Sequence, residues 1–70
     1  MDLPRILGRN VRESRKRLGM SQGQLALEAD MKRSYVSDLE RGTRNPSVKA
    51  IERLAFALQV EPWLLLRPPS

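Results

Sequence analysis

Seventy residues with a mass of 8.0 kDa exclude a second domain, since a chain this short buries only about 60% of the surface its unfolded form exposes and needs a covalent staple or very regular packing. It contains neither Cys nor His, which excludes disulfides, thiolate and imidazole metal sites and histidine-based catalysis, so no metal and no cofactor are expected. Thirteen Lys and Arg against eight Asp and Glu leave a net charge of +5, a balance suited to a polyanion, either nucleic acid or an acidic membrane surface.

Asp2 reads as the cap of a first helix over roughly residues 3 to 18, with Pro4 tolerated in its first turn and Leu3, Leu7, Val11 and Leu18 on one stripe. Gly19 stops it after the basic turn Arg15-Lys16-Arg17, which suits the negative end of the helix dipole. Ser21 and Gln24 form a capping box for a short second helix, roughly 22 to 29, with Leu25, Ala26 and Ala29 facing inward. Asp30 then suits a tight turn. The third helix, roughly 32 to 40, has only Val36 and Leu39 as aliphatic anchors, so most of its surface faces out. Gly42 ends it, and Thr43-Arg44-Asn45-Pro46 is a loop by composition. Ser47 caps a fourth helix carrying Val48, Ile51, Leu54, Ala55 and Leu58. Pro62 opens a fifth, roughly 62 to 66, and Arg67-Pro68-Pro69-Ser70 forbids further helix.

No period-two alternation of β-branched residues occurs, so the expected fold is all-α: five short helices in one domain spanning residues 1–70. The carboxylate pairs Glu28/Asp30 and Asp38/Glu40 are spaced two apart and point to different helix faces. No catalytic pair is presented, and the chain does not read as an enzyme. No apolar run approaches the length that crosses a bilayer, and the N-terminus lacks the basic start and apolar core of a secretory signal. The expectation is a cytoplasmic protein without a membrane partner.

Two short helices joined by a tight turn, the second basic and small-polar outside, are what a helix-turn-helix needs to lay one helix in a major groove. The runs Gly19-Met20-Ser21-Gln22, Leu25-Ala26, Ser34-Tyr35-Val36-Ser37-Asp38-Leu39-Glu40-Arg41-Gly42 and Arg44-Asn45-Pro46-Ser47 resemble the Cro/repressor, or XRE, family. The similarity continues through Ile51, Leu54-Ala55, Leu58, Val60 and Trp63-Leu64, nearly the whole chain. A looser likeness links Arg33 to Ser37 and Arg44-Asn45 with controller proteins of restriction-modification systems. The resemblance implies a five-helix, lambda-repressor-like domain whose helix-turn-helix, about residues 21–40, is formed by helices two and three.

It further implies that Lys32, Arg33, Ser34, Ser37 and Asp38 face base edges, although Asp38 has a competing reading in which it orients a neighbouring Arg. Gln22, Tyr35, Arg41, Arg44, Asn45 and Lys49 match positions that grip the DNA backbone. For Gln22 and Lys49 the plainer reading is a solvated surface side chain, and Tyr35 either offers its hydroxyl to a phosphate or packs its ring. Arg15 and Glu40 match a structural salt bridge. Asp30 stands where the family often has Gly, which strains the turn mildly. Arg5, Arg9, Arg12 and Lys16 line one stripe of helix one and read as its wet face.

The implied function is sequence-specific binding of double-stranded DNA by a homodimer on an inverted-repeat operator, controlling transcription. A toxin-neutralising antitoxin that also binds DNA and a basic module without sequence preference are the alternatives; a toxin or RNA polymerase is the further partner these readings allow. Four consecutive apolar residues, Trp63 to Leu66, cannot all face one core. The resemblance implies that Trp63 and Leu64 cover the core beneath helix four, which leaves Leu65 or Leu66 for the dimer interface.

Overall fold

In the computed structural model, which describes residues 1–68, the chain forms four α-helices and one 3-10 helix. Pro69 and Ser70, part of the helix-breaking tail, lie outside the described residues. Helix α1, Leu3–Arg17, starts where Asp2 Oδ1 accepts the Arg5 amide at 3.2 Å. Helix α2, Gln22–Glu28, carries the full capping box: Ser21 Oγ accepts from the Gln24 amide at 3.0 Å while Gln24 Oε1 accepts from the Ser21 amide at 2.7 Å. Helix α3 is Arg33–Glu40, and α4, Val48–Leu58, is capped by Ser47 Oγ. Each boundary follows from a side chain that satisfies an orphan N–H of the first turn, except in α3, where Lys32 provides none.

All four α-helices end in the same left-handed turn, at Gly19 (φ 72°), Asp30 (φ 56°), Gly42 (φ 80°) and Gln59 (φ 61°). In each, the amide of the residue after the left-handed one returns to the carbonyl five residues earlier, as Met20 to Arg15 and Met31 to Ala26 do at 3.0 and 2.8 Å. Gly19 and Gly42 adopt this conformation freely. Asp30 and Gln59 do so with a side chain attached.

Val11, Leu25, Val36, Leu39, Leu54, Leu58 and Leu65 form the fully buried centre. Helix α2 packs on α3, α1 crosses α3, and the 3-10 helix Pro62–Leu66 bridges α1 and α4. Leu3, Leu18 and Val48, which spacing places on inward stripes, are exposed at helix ends beyond the reach of this core.

The fifth helix is not an α-helix. A five-residue segment opened by Pro62 is too short to sustain α-helical bonding, and the Leu64 amide bonds to Glu61 O at 3.0 Å in the tighter pattern. With three residues per turn, Trp63 and Leu66 share one side. They are exposed, Trp63 at 61%, whereas Leu65 is 1% exposed and belongs to the core. This reverses the expected placement of Trp63 and removes Leu65 from the candidate dimer surface, leaving Leu66. Asn10 locks the segment, its Nδ2 donating to Leu65 O and Arg67 O, both at 2.8 Å.

Candidate nucleic-acid interface

The joint between α2 and α3 sets how far α3 projects. The chain turns at Asp30 and extends through Lys32 before α3 begins. Arg53 of α4 secures the turn, donating from Nε to Ala29 O at 3.0 Å and from Nη2 to Asp30 O. These carbonyls close α2 and would otherwise lack partners. Sequence reasoning missed Arg53, because nothing local marks an arginine whose acceptors lie more than twenty residues earlier. Gly8 was also missed. A Cβ there would stand 2.3 Å from Leu39 O and 2.8 Å from Glu40 O, so α1 crosses the end of α3 backbone against backbone.

Only Val36 and Leu39 of α3 are buried. Its first turn presents Lys32, Arg33 and Ser34 to solvent, and among the described residues neither Lys32 nor Arg33 enters an ion pair. Ser37 and Asp38 follow, both partly exposed. Asp38 faces two arginines: Oδ1 pairs with Arg41, and Oδ2 lies 3.5 Å from Arg44 Nη2.

Arg44 leaves the loop beside α3 and stacks 5.0 Å from the centroid of the Tyr35 ring. Tyr35 itself is half-buried against the core, so its ring supports Arg44 by a cation–π contact. Asn45 is exposed. Lys49 makes a 3.6 Å pair with Glu52 at the surface, which holds it weakly. Lys32, Ser34, Tyr35, Arg44 and Arg53 surround a single shallow depression.

Gln22 is more firmly placed than a solvated side chain. Its Nε2 donates to Glu40 Oε1 at 3.1 Å, joining the Arg15–Glu40 pair, while Arg15 also donates to Met20 O at 2.8 Å. The hydrogen bond to Glu40 raises the Arg15 guanidinium pKa despite burial, so the guanidinium stays charged. One buried carboxylate thereby ties α1, the start of α2 and the end of α3 together. A primary amide has two hydrogens, so Gln22 keeps one for a second acceptor.

Among the described residues no helix is long and apolar enough to cross a membrane, and no group of three or more Asp and Glu gathers to hold a metal. Exposed Lys32, Arg33, Arg41, Arg44 and Lys49 stand at the ends of α3 and on the loop and helix start that follow it, with the polar Ser34 and Ser37 between them.

A profile described as helix-turn-helix matches residues 11–62. The control protein C.BamHI of Bacillus amyloliquefaciens is 48% identical over 62 residues, covering 87% of this chain and 76% of that protein. The crystal structure of the restriction-modification controller protein C.AhdI from Aeromonas hydrophila superposes with a TM-score of 0.86 at 44% identity, over 89% of this chain and 94% of that one. The controller protein C.Esp1396I, solved as a tetramer with its natural 35 base-pair operator, superposes at 0.84 and 28% identity over 93% and 86% of the two chains. These similarities favour a DNA-binding regulator over the antitoxin and the non-specific basic module.

Proposed function

The chain belongs to the helix-turn-helix family, and on that premise we propose that it is a sequence-specific double-stranded DNA-binding regulator of transcription, of the kind found among restriction-modification controllers. The observation that carries this reading is the start of α3, where Lys32, Arg33 and Ser34 are exposed on a helix whose buried side chains are Val36 and Leu39. In the major groove such side chains read base edges, with Arg to guanine the commonest pairing. Gln22, Arg44, Asn45 and Lys49 flank this turn and hold the backbone, which sets register and general affinity.

The protein acts as a two-fold dimer. Trp63 and Leu66 share the outer side of the 3-10 helix, and the neighbouring α4 leaves Phe56 87% exposed, apolar surface that a small monomer rarely leaves open. A two-fold pair sets its α3 helices about 34 Å apart, one turn of DNA, and binds inverted half-sites.

Selection of bound duplexes from a random pool by the purified protein tests the proposal. Enrichment of an inverted repeat is the expected result; recovery of unenriched sequences overturns it.

A further inference from the structure

Asp38 puts a negative charge on the face of α3 that this functional reading turns toward DNA. Its surroundings show what the charge does. Both carboxylate oxygens face arginines, Oδ1 that of Arg41 one turn later and Oδ2 that of Arg44 at 3.5 Å. The backbone of the same residue anchors the following loop, because Asp38 O accepts from the Thr43 amide at 3.1 Å and from Thr43 Oγ1 at 2.9 Å. Arg44 is thus held between a carboxylate and the Tyr35 ring.

An arginine that is already neutralised adds little to attraction for an arbitrary phosphate, since non-specific affinity grows with the number of free cations that displace counterions from the duplex. The pairs are nevertheless exchangeable. Arg41 and Arg44 are well exposed, and the Asp38 side chain is 28% exposed, so a phosphate brought within hydrogen-bond reach competes with the carboxylate. Only a duplex that seats α3 fully in its groove brings phosphates that close.

We propose that Asp38 is a positioning and specificity-determining residue that acts through Arg44 and Arg41, suppressing binding to DNA of arbitrary sequence instead of reading a base. The proposal rests on the DNA-binding reading above. It predicts that removing the charge while keeping the shape frees two cations on every duplex. The matched duplex, which already displaces the carboxylate, gains less.

The experiment compares the full chain with Asp38→Asn and Asp38→Glu on the duplex selected from the random pool and on a scrambled duplex, each across a salt series. Asp38→Asn should raise affinity for the scrambled duplex about 5- to 10-fold and steepen its salt dependence by about one to two phosphate equivalents. Affinity for the selected duplex should change less than about 3-fold, and Asp38→Glu should resemble the parent. In an Arg41→Ala/Arg44→Ala background the effect of Asp38→Asn on the scrambled duplex should shrink to under about 2-fold, the sign that these residues act as a unit.

A loss of selected-duplex affinity with an unchanged scrambled duplex makes Asp38 a base reader and overturns the proposal. So does an unchanged pair of affinities, or an effect that persists undiminished without the two arginines. A parent protein that binds DNA but selects no sequence overturns the functional reading, while the scrambled duplex still shows whether Asp38 restrains the arginines. A parent that binds no DNA overturns both.

Discussion

The Arg15 guanidinium grips the Glu40 carboxylate with two nitrogens, Nε at 2.7 Å from Oε2 and Nη2 at 3.0 Å from Oε1. The two side chains are only 11% and 4% exposed, so removing one partner leaves a buried charge alone. Glu40→Ala should therefore cost about 3 to 5 kcal/mol, whereas Arg9→Ala, which loses a surface pair with Glu13, should leave the melting curve nearly unchanged. Because the Arg15 pKa is raised, its contribution is complete below the ordinary arginine value and lost only as pH climbs through the higher folded value. Melting followed across neutral pH should show no step from this arginine.

Gly8 and Gly23 should respond oppositely to alanine. At Gly8 the new methyl meets the Leu39 and Glu40 carbonyls at 2.3 and 2.8 Å, backbone atoms that cannot step aside, and Gly8→Ala should destabilise by about 3 kcal/mol or more. At Gly23 the nearest atoms are at 3.8 and 3.9 Å, so Gly23→Ala should stabilise α2 by about 0.5 to 1 kcal/mol through lower unfolded-chain entropy. Denaturant titration of both variants decides the signs.

The α2–α3 turn offers a matched pair of tests. Asp30 holds φ 56°, and Asp30→Gly should raise stability by about 0.5 kcal/mol, since the Arg53 contact uses only the Asp30 carbonyl. Arg53→Ala strips the partners from the Ala29 and Asp30 carbonyls and should cost about 1 to 2 kcal/mol. Thermal melts of the two variants should move in opposite directions.

Base reading and backbone holding should separate at Arg33 and Arg44. Arg33→Ala should weaken the selected duplex by about 1 to 3 kcal/mol and a scrambled one much less, while Arg44→Ala should weaken the selected duplex and flatten its salt dependence, reaching the scrambled duplex only once Asp38→Asn has freed the arginine. Equal losses on both duplexes for Arg33→Ala would refute its role as a base reader.

The dimer surface makes a distinction among adjacent residues. Trp63→Glu and Leu66→Glu should shift sedimentation toward monomer while the fold melts normally. Leu65→Glu should unfold the protein outright, because it places a charge in the centre of the core.

Where α1, α2 and α4 start was decided locally. Asp2, Ser21 and Ser47 cap the helices that follow them, and Gly19, Asp30 and Gly42 end those that precede them, each through bonds spanning a few residues and therefore readable in order along the chain. The spacing of Val36 and Leu39 likewise left α3 with a single buried stripe. Tertiary structure alone decided what depends on distant partners. Gly8 matters because α1 crosses the α3 backbone, Asn10 because the chain end returns to it, and Arg53 because α2 ends beside α4. The pairing of Asp38 awaited the path of the loop that carries Arg44. At Trp63–Leu66, four apolar residues carry no internal phase, so only docking against α1 and α4 in a three-residue repeat could turn Leu65 inward and Trp63 out.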